Sequence, residues 1–387
     1  MPRRVCLSVN PYAPVGQHVR AVQIPKTSRP RRATMSRFRS TWSAPGPEGG
    51  AFGPQSGRPD CRWVVVLAGG SGARLKSLTS GLGGRSVPKQ YCSFLGGQSL
   101  LLDTMARAQK LASRRRVVTV VARQHEQFWH RDLRDRSPDN VIVQPQNRGT
   151  AAGILLPLLA ILARDAGAQV TLMPSDHFIA DEPILMESLR AAQRSASKTP
   201  RRVLLVGIRP DSPEGDYGWI LPGEAADTVH EVRRFVEKPD RQVALDLLQA
   251  GAVWNSFLVV GSARAILQLY AQRLPNLLAT FREAEVDRHP ANGDRLYEGL
   301  RDADFCRDVL AGAEASLGLC IAPTCGWTDL GTPTRVAQCA SQLRSPGAVQ
   351  SGSLAAAVSA RFLNGPPAQM ATVNARTSPS AVDFPQQ

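Results

Sequence analysis

Residues 63–75 read Trp-Val-Val-Val-Leu-Ala-Gly-Gly-Ser-Gly-Ala-Arg-Leu. The apolar run Trp63–Ala68 predicts a short buried strand, and three glycines within the next four residues predict a tight turn at its carboxyl end. Backbone N–H groups in such a turn can approach an anion without obstruction by Cβ atoms, and the planar guanidinium of Arg74 offers further donors. The segment therefore predicts a phosphate-binding loop, with a plain strand-to-helix turn as the alternative.

Apolar runs and amphipathic stretches alternate after this loop. The predicted strands are Trp63–Ala68, Val117–Ala122, Val141–Gln144, Val170–Met173, Val203–Ile208, Val232–Val236 and Leu317–Ala322. The main predicted helices are Ser99–Leu111, Gln124–Arg134, Thr150–Arg164, Ile184–Ser195, Arg241–Ala250, Ala263–Arg273 and Leu277–Asp287. Short strands separated by helices indicate an α/β fold with a doubly wound, mainly parallel sheet. Beyond Asp240 the pattern predicts helices until the last strand.

The positive charge of the chain is concentrated at its start. The 387 residues carry a formal net charge of +15, and residues 1–60 hold ten Arg and Lys against two acidic residues. This Pro-, Gly- and Ser-rich segment cannot bury enough apolar surface to offset its ordering entropy, so we expect it to be disordered. A basic tail, an arm for an anionic surface and a targeting peptide are the alternatives. The predicted organisation is a disordered segment at 1–60, a folded domain at 61–344 and a flexible tail at 345–387.

Composition also excludes several classes of protein. Seven cysteines form no CxxC pair, so we expect neither a zinc site nor a disulfide framework. We expect the protein in a reducing, cytoplasmic compartment. The longest apolar stretch, residues 153–163, is interrupted by Pro157 and is too short to span a bilayer, which predicts no membrane partner. Residues 61–387 carry only +7 and contain no nucleic-acid motif, so the folded domain is not expected to bind nucleic acid.

Further motifs follow at the ends of predicted elements. Pro88-Lys89-Gln90 comes after a Gly- and Ser-rich loop, and Pro174-Ser175-Asp176-His177 ends the fourth predicted strand. A lone lysine is usually solvated, yet at the switch point of an α/β sheet Lys89 can face the same phosphates as the glycine loop. Asp176 either holds a hard cation such as Mg²⁺ or caps the next turn.

The motifs taken together resemble a known enzyme family. In order they read LAGGSGARL, PKQ, QPQNRGTA, PSDH, FVEKP, WNS and GWTDLG, and they cover residues 62–343. This series is similar to the sugar-1-phosphate nucleotidyltransferases, and most closely to their mannose-1-phosphate guanylyltransferase branch. The resemblance implies a Rossmann-like domain that transfers a nucleotide from a nucleoside triphosphate to a sugar 1-phosphate and releases pyrophosphate. For this branch the implied substrates are GTP and mannose 1-phosphate.

The resemblance also implies roles for individual residues. The implied catalytic residues are Arg74, Lys89 and Asp176, and Mg²⁺ is implied as the cofactor, held by Asp176 and Asp329. The implied nucleotide-binding residues are Leu67, Ala68, Gly69, Gly70, Ser71, Gly72, Gln144, Asn147 and Thr150. The implied sugar-phosphate-binding residues are Gly218, Glu237, Lys238 and Asn255. A general base is not required, because the sugar phosphate already carries its nucleophilic charge.

Several departures from the family pattern keep alternatives open. Residues 81–84 lengthen the spacing between Arg74 and Lys89, and Phe257 follows Asn-Ser where glycine is usual. These changes touch the substrate pocket, so another sugar phosphate or nucleotide, such as glucose 1-phosphate, is one alternative. A catalytically inactive nucleotide-sugar-binding regulatory protein is another. The sequence also leaves the oligomeric state open, with a homo-oligomer as one option.

Overall fold

The computed structural model describes residues 61–72, 75–79, 86–93, 97–286 and 290–344. The segments expected to be tails, 1–60 and 345–387, lie outside the described residues, as does Arg74. The described residues therefore test the folded domain and leave the two tails as predictions.

One sheet forms the centre of the described part of the chain. Its nine strands there are β1 Arg62–Ala68, β2 Val117–Ala122, β3 Val141–Gln144, β4 Gln169–Pro174, β5 Val203–Ile208, β6 Gly218–Ala226, β7 Val229–Glu237, β8 Val253–Ser262 and β9 Leu317–Ala322. They lie in the order β3-β2-β1-β4-β8-β5-β9-β7-β6. The strand pairs β1–β2, β1–β4, β2–β3 and β5–β9 are parallel.

Helices cover both faces of this sheet. The described helices are α1 Lys76–Thr79, α2 Leu100–Gln109, α3 Glu126–Leu133, α4 Gly149–Arg164, α5 Glu182–Lys198, α6 Arg241–Gln249, α7 Ala263–Arg273, α8 Pro275–Val286, α9 Pro290–Gly299 and α10 Pro333–Arg344. Consecutive residues of β1 point to opposite faces, since Val65 packs in the core with α4 and α7 while Val64 and Val66 pack with α2 and α5. The doubly wound α/β class is thus observed.

The second half of the sheet is mixed rather than parallel. Strand β8 is antiparallel to both β4 and β5, and β7 is antiparallel to β6 and β9. The predicted helices beyond Asp240 leave out the strand Val253–Ser262, because the polar pair Asn255-Ser256 interrupts the apolar run that would have marked it. Strand β6 was not predicted either. It contains Pro222 and Gly223, which are tolerated because β6 pairs with β8 only at Trp219 and Ile220 and its pairing with β7 shifts register around Pro222.

The topology places several strand ends together. The parallel strands β1 to β4 all finish at the same edge of the sheet, which brings Ala68, Gln144 and Pro174 to one side. No helix among the described residues is long and apolar enough to cross a membrane. The carboxyl edge of the sheet is where an open α/β fold is expected to bind its ligand.

Candidate active site

The glycine-rich loop leaves the carboxyl end of β1, and two of its glycines cannot be replaced without conflict. Gly72 has a φ of +61°, and a Cβ there would lie 2.7 Å from the backbone nitrogen of Lys89. A Cβ at Gly69 would lie 2.7 Å from Oε1 of Gln144. The loop is therefore packed against two other segments at its base, while Gly70 and Ser71 at its tip are exposed.

The segment that contains Lys89 is hydrogen-bonded to this loop. Residues Lys89–Tyr91 form a short 3-10 turn. Gln90 Nε2 donates hydrogen bonds to the backbone oxygens of Ala68 at 3.0 Å and Gly70 at 2.8 Å. Tyr91 Oη donates to the same Ala68 oxygen at 3.2 Å. Side-chain donors thus satisfy loop carbonyls on the inner side and fix the loop conformation.

Lys89 connects two carboxylate-bearing segments. Its Nζ lies 3.0 Å from Oδ2 of Asp176 and also donates to the backbone oxygen of Asp329. The two segments are held together by a β-bridge in which Phe178 and Thr328 exchange backbone hydrogen bonds of 2.9 and 3.0 Å. The Lys89 side chain is only 7% exposed, so the interpretation of a solvated surface lysine is excluded.

The carboxylate of Asp329 is buried and receives several donors on one oxygen. Oδ1 accepts hydrogen bonds from Tyr217 Oη at 2.9 Å, the Gly331 backbone N–H at 2.8 Å and Arg335 at 3.1 Å. Burial alone would raise the pKa of Asp329, but His177, Lys89 and Arg335 outweigh it and hold that pKa below its usual value. Asp329 is therefore ionised at neutral pH.

Asp176 and His177 follow β4 and differ in their protonation states. Burial would raise the pKa of Asp176, but the charge of Lys89 and the neighbouring His177 lower it below its usual value. Burial lowers the pKa of His177 to about 4, so its imidazole is neutral at pH 7. Trp327 Nε1 donates to Nδ1 of His177 at 3.2 Å, which leaves the imidazole proton on Nε2. The site thus combines a charged carboxylate with a neutral histidine.

A second cluster lies where β6, β7 and β8 meet. A Cβ at Gly218 would lie 2.6 Å from Oε2 of Glu237 and 3.3 Å from the Cβ of Asn255, so the three residues are in contact. Lys238 Nζ lies 3.4 Å from Glu237 Oε1, and its side chain is largely exposed. Burial raises the pKa of Glu237. Its Oε2 is buried and, among the described residues, has no hydrogen-bond partner.

Two residues of this cluster were missed by the sequence analysis. Oxygen or sulfur atoms of Glu237, Asp304 and Cys306 all lie within 4.8 Å of one another. Asn255 Nδ2 donates to Cys306 Sγ at 3.3 Å. Asp304 caps and Cys306 belongs to a π-helical turn at Phe305–Leu310, and neither the spacing nor the composition of this turn marks it as a site. Only the fold brings this turn to β7.

Tyr217 joins the two clusters. Its backbone oxygen accepts a hydrogen bond of 3.2 Å from the Lys238 N–H, while its hydroxyl donates to Asp329. Tyr217 therefore contacts a residue of each cluster.

The predicted nucleotide-binding residues at the end of β3 and after it occupy three different environments. Gln144 is buried, with Nε2 donating to Tyr297 Oη at 3.3 Å. Asn147 is exposed and accepts the Gly149 N–H at 3.0 Å. Thr150 donates to Asp304 Oδ2 at 3.1 Å. The fold thus places Gln144 against the glycine loop and Thr150 beside the second cluster, and it leaves Asn147 at the surface.

Comparison with known proteins gives the family of this chain. Residues 63–345 match the family model for nucleotidyl transferases. The chain belongs to the nucleotidyl transferase family. The match spans the glycine loop, both carboxylate segments and the cluster around Glu237, so it confirms the predicted family and fold class.

Individual nucleotidyl transferases show the extent of the similarity. A mannose-1-phosphate guanylyltransferase from Klebsiella pneumoniae is 31% identical over 221 residues, covering 55% of this chain and 45% of the relative. The xanthan biosynthesis protein XanB of Xanthomonas campestris is 29% identical over 287 residues, covering 69% and 57%. The chain thus spans about half the length of these relatives.

A solved structure agrees with the fold. The crystal structure described as mannose-1-phosphate geranyltransferase from Thermus thermophilus superposes with a TM-score of 0.62 at 26% identity, covering 70% of this chain and 77% of that one. The mixed sheet described above is therefore the architecture of an enzyme family.

Proposed function

We propose that this nucleotidyl transferase uses a sugar 1-phosphate as acceptor, with GTP as the nucleotide donor and mannose 1-phosphate as the sugar phosphate. The observation that carries the proposal is the convergence of Lys89, Asp176 and Asp329 beside the glycine loop. The names of the relatives, mannose-1-phosphate guanylyltransferase among them, support the choice of substrates.

In the proposed reaction a phosphate oxygen of the sugar phosphate attacks the α-phosphorus of the triphosphate. The bond from that phosphorus to the β-phosphate oxygen breaks, and pyrophosphate leaves with the electron pair. Such transfers depend on positioning and charge neutralisation more than on a covalent partner. The exposed N–H groups of Gly70 and Ser71 bind the triphosphate, while Lys89 neutralises charge on it.

The residues present fit a hard divalent cation, which we propose to be Mg²⁺. The carboxylates of Asp176 and Asp329 stand on the two segments that Lys89 connects. Carboxylate and phosphate oxygens are the ligands that Mg²⁺ prefers. Asp176 and Asp329 would hold the ion, which supplies further neutralisation of the phosphate charge.

The cluster at β6 to β8 fits the sugar phosphate. The unpartnered Oε2 of Glu237 can accept a sugar hydroxyl, which would satisfy a buried polar atom. The exposed ammonium of Lys238 provides a point charge for the phosphate, and Asn255 provides an amide. Gly218 allows Glu237 to lie against its backbone, since any side chain at this position would collide with Glu237.

The guanine base is proposed to lie over the segment that follows β3. Asn147 and Thr150 are the exposed polar residues there, whereas the buried Gln144 supports the loop at Gly69. Catalysis by Arg74 remains part of the proposal on the strength of the motif alone. We also propose a cytoplasmic role in supplying nucleotide-sugar for polysaccharides, and similarity to the xanthan biosynthesis protein XanB and the alginate biosynthesis protein AlgA supports the link to polysaccharides.

Pyrophosphate release tests the proposal directly. The full chain is incubated with Mg²⁺, each of the common nucleoside triphosphates and a panel of sugar 1-phosphates that includes mannose and glucose. Turnover with GTP and mannose 1-phosphate is the expected result. Another active pair would retain the reaction and change the specificity. A folded protein that releases no pyrophosphate with any pair would contradict the enzyme and favour an inactive nucleotide-sugar-binding protein.

A further inference from the structure

Arg335 reaches from α10 into the active site, although it belongs to none of the motifs that define the family resemblance. One terminal nitrogen donates to Asp329 Oδ1 at 3.1 Å, and the other to Glu214 Oε2 at 2.5 Å. Asp216 Oδ2 lies 3.9 Å from the nitrogen that donates to Asp329. The side chain is only 10% exposed, so these contacts are made away from bulk water.

The same guanidinium also packs on Tyr217. Its central carbon lies 4.3 Å from the centroid of the Tyr217 ring, a distance at which cation–π attraction is effective. Because the Tyr217 hydroxyl donates to Asp329 Oδ1, Arg335 contacts the carboxylate directly and also holds the residue that makes a second contact. Trp254 and Trp327, with centroids 4.8 and 5.3 Å from that of Tyr217, further restrict the ring.

A planar guanidinium suits this task because its donors lie at fixed angles and can bind two acceptors at once. A lysine ammonium is a compact point charge on a flexible stem, so it cannot reproduce the fork that joins Glu214 to Asp329. The geometry therefore uses the shape of the arginine as well as its charge.

We propose that Arg335 is a positioning residue that fixes the orientation of the Asp329 carboxylate for binding of the divalent cation. The inference rests on the proposed function, since it requires Asp329 to be a metal ligand. Arg335 acts through Asp329 and Tyr217 and does not contact the reacting atoms. Partners that orient a metal ligand typically change metal affinity by about 10- to 100-fold when they are removed.

A purely structural role, in which Arg335 only attaches α10 to the domain, predicts a different result. Loss of an attachment lowers the stability of the protein without changing metal affinity in the molecules that remain folded. Metal affinity in a folded variant therefore distinguishes the two roles.

The experiment measures Mn²⁺ binding to the full chain by electron paramagnetic resonance, which reports free Mn²⁺ and needs no turnover. The variants are Arg335→Met, Arg335→Lys and Asp176→Asn, with Arg194→Met as the matched control. Arg194 lies on α5 in an exposed ion pair with Glu187. We expect the Mn²⁺ dissociation constant to rise by about 10-fold or more in Arg335→Met. We expect a smaller rise in Arg335→Lys and no change in the control.

The outcomes separate this inference from the proposed function. An unchanged dissociation constant in folded Arg335→Met overturns the positioning role while the enzyme stands. If Arg335→Met does not fold, Arg335→Lys decides by the same measurement, because it keeps the charge and most of the stem. If the unsubstituted chain binds Mn²⁺ no better than Asp176→Asn and releases no pyrophosphate, the proposed function itself fails and the positioning role with it.

Discussion

Asp176 shows how much chemistry depends on one side chain. Its side chain is 36% exposed, whereas its ion-pair partner Lys89 is buried. Replacement by asparagine keeps the shape but removes the charge that balances Lys89 and would hold the cation. We expect Asp176→Asn to lower pyrophosphate release by roughly 100-fold or more, a typical effect of removing an electrostatic contact at a reacting centre.

The control for Asp176 is Asp227→Asn. Asp227 lies in the exposed turn between β6 and β7 with a φ of 60°, which asparagine also tolerates. Equal activity of Asp176→Asn and this control, at the same Mg²⁺ concentration, would remove the metal assignment. Circular dichroism of both variants confirms that the fold is retained.

His177 makes the stability of the domain depend on pH. Its pKa of about 4 in the folded chain lies below the ordinary value of 6.5, so between these values the unfolded chain binds a proton that the folded chain does not. The contribution of neutral His177 to the free energy of unfolding is therefore complete above pH 6.5 and is lost as the pH falls towards 4. Between pH 8 and pH 5 the loss is about 2 kcal/mol.

Urea unfolding at pH 8 and pH 5 measures this contribution. Burial raises the pKa of Glu237, which affects stability in the opposite direction, so the comparison is made between variants. His177→Asn keeps an acceptor for Trp327 and removes the titration, and we expect it to show a smaller loss at pH 5. The exposed His130→Asn serves as control. Equal losses in the unsubstituted chain and His177→Asn would contradict the assignment.

At the scale of an element, the glycine loop and the turn at Lys89–Tyr91 form one unit. Gly72→Ala places a side chain in a left-handed conformation, which costs about 1 kcal/mol, and also forces the backbone of Lys89 to move. We expect it to lower both the free energy of unfolding and the turnover number, since Lys89 is displaced from Asp176.

Gly251→Ala is the matched control for Gly72→Ala. Gly251 has a φ of +77° but no atom within 4 Å of its added Cβ, so it tests the backbone strain alone. Urea unfolding of this variant should show only the loss of about 1 kcal/mol from backbone strain, and pyrophosphate release should be unchanged. Full activity in Gly72→Ala as well would show that the contact with Lys89 does not position the lysine.

The elements differ in how far the sequence predicts them. Strands such as Val117–Ala122 are continuous apolar runs because they are buried on both faces, and they were predicted with their observed bounds. Strand Val253–Ser262 was missed because Asn255 and Ser256, both buried, interrupt its apolar pattern. Buried polar residues within a strand thus obscure the periodicity that would identify it.

The residues of the candidate site also differ in how far the sequence predicts them. Lys89, Asp176 and Asp329 stand in local motifs, and the fold brings these residues together as the topology implies. Gln90, Tyr217 and Arg335 were not assigned roles, because their partners lie on other segments of the fold. Nothing in the residues around Arg335 indicates that Glu214, 121 positions away, completes its contacts. Supporting residues of this kind become visible only through tertiary structure.

At the scale of the whole molecule, β8 prevents the sheet from dividing into two halves. Val259 is paired with Leu172 of β4 on one side and with Leu205 of β5 on the other, and all three side chains are fully buried. The parallel strands that carry Asp176 and the antiparallel strands that carry Glu237 therefore share one continuous core. Neither half can unfold without exposing the apolar surface of the other.

This continuity predicts that residues 61–344 unfold as one cooperative unit. A fragment with these bounds should show a single urea transition, with tryptophan fluorescence and far-ultraviolet circular dichroism giving the same midpoint. It should release pyrophosphate at the rate of the full chain, because every described residue of both clusters lies within it. The full chain measured in parallel is the control. Two separated transitions would show that the antiparallel half folds independently, and an inactive but folded fragment would place an essential group in residues 1–60 or 345–387.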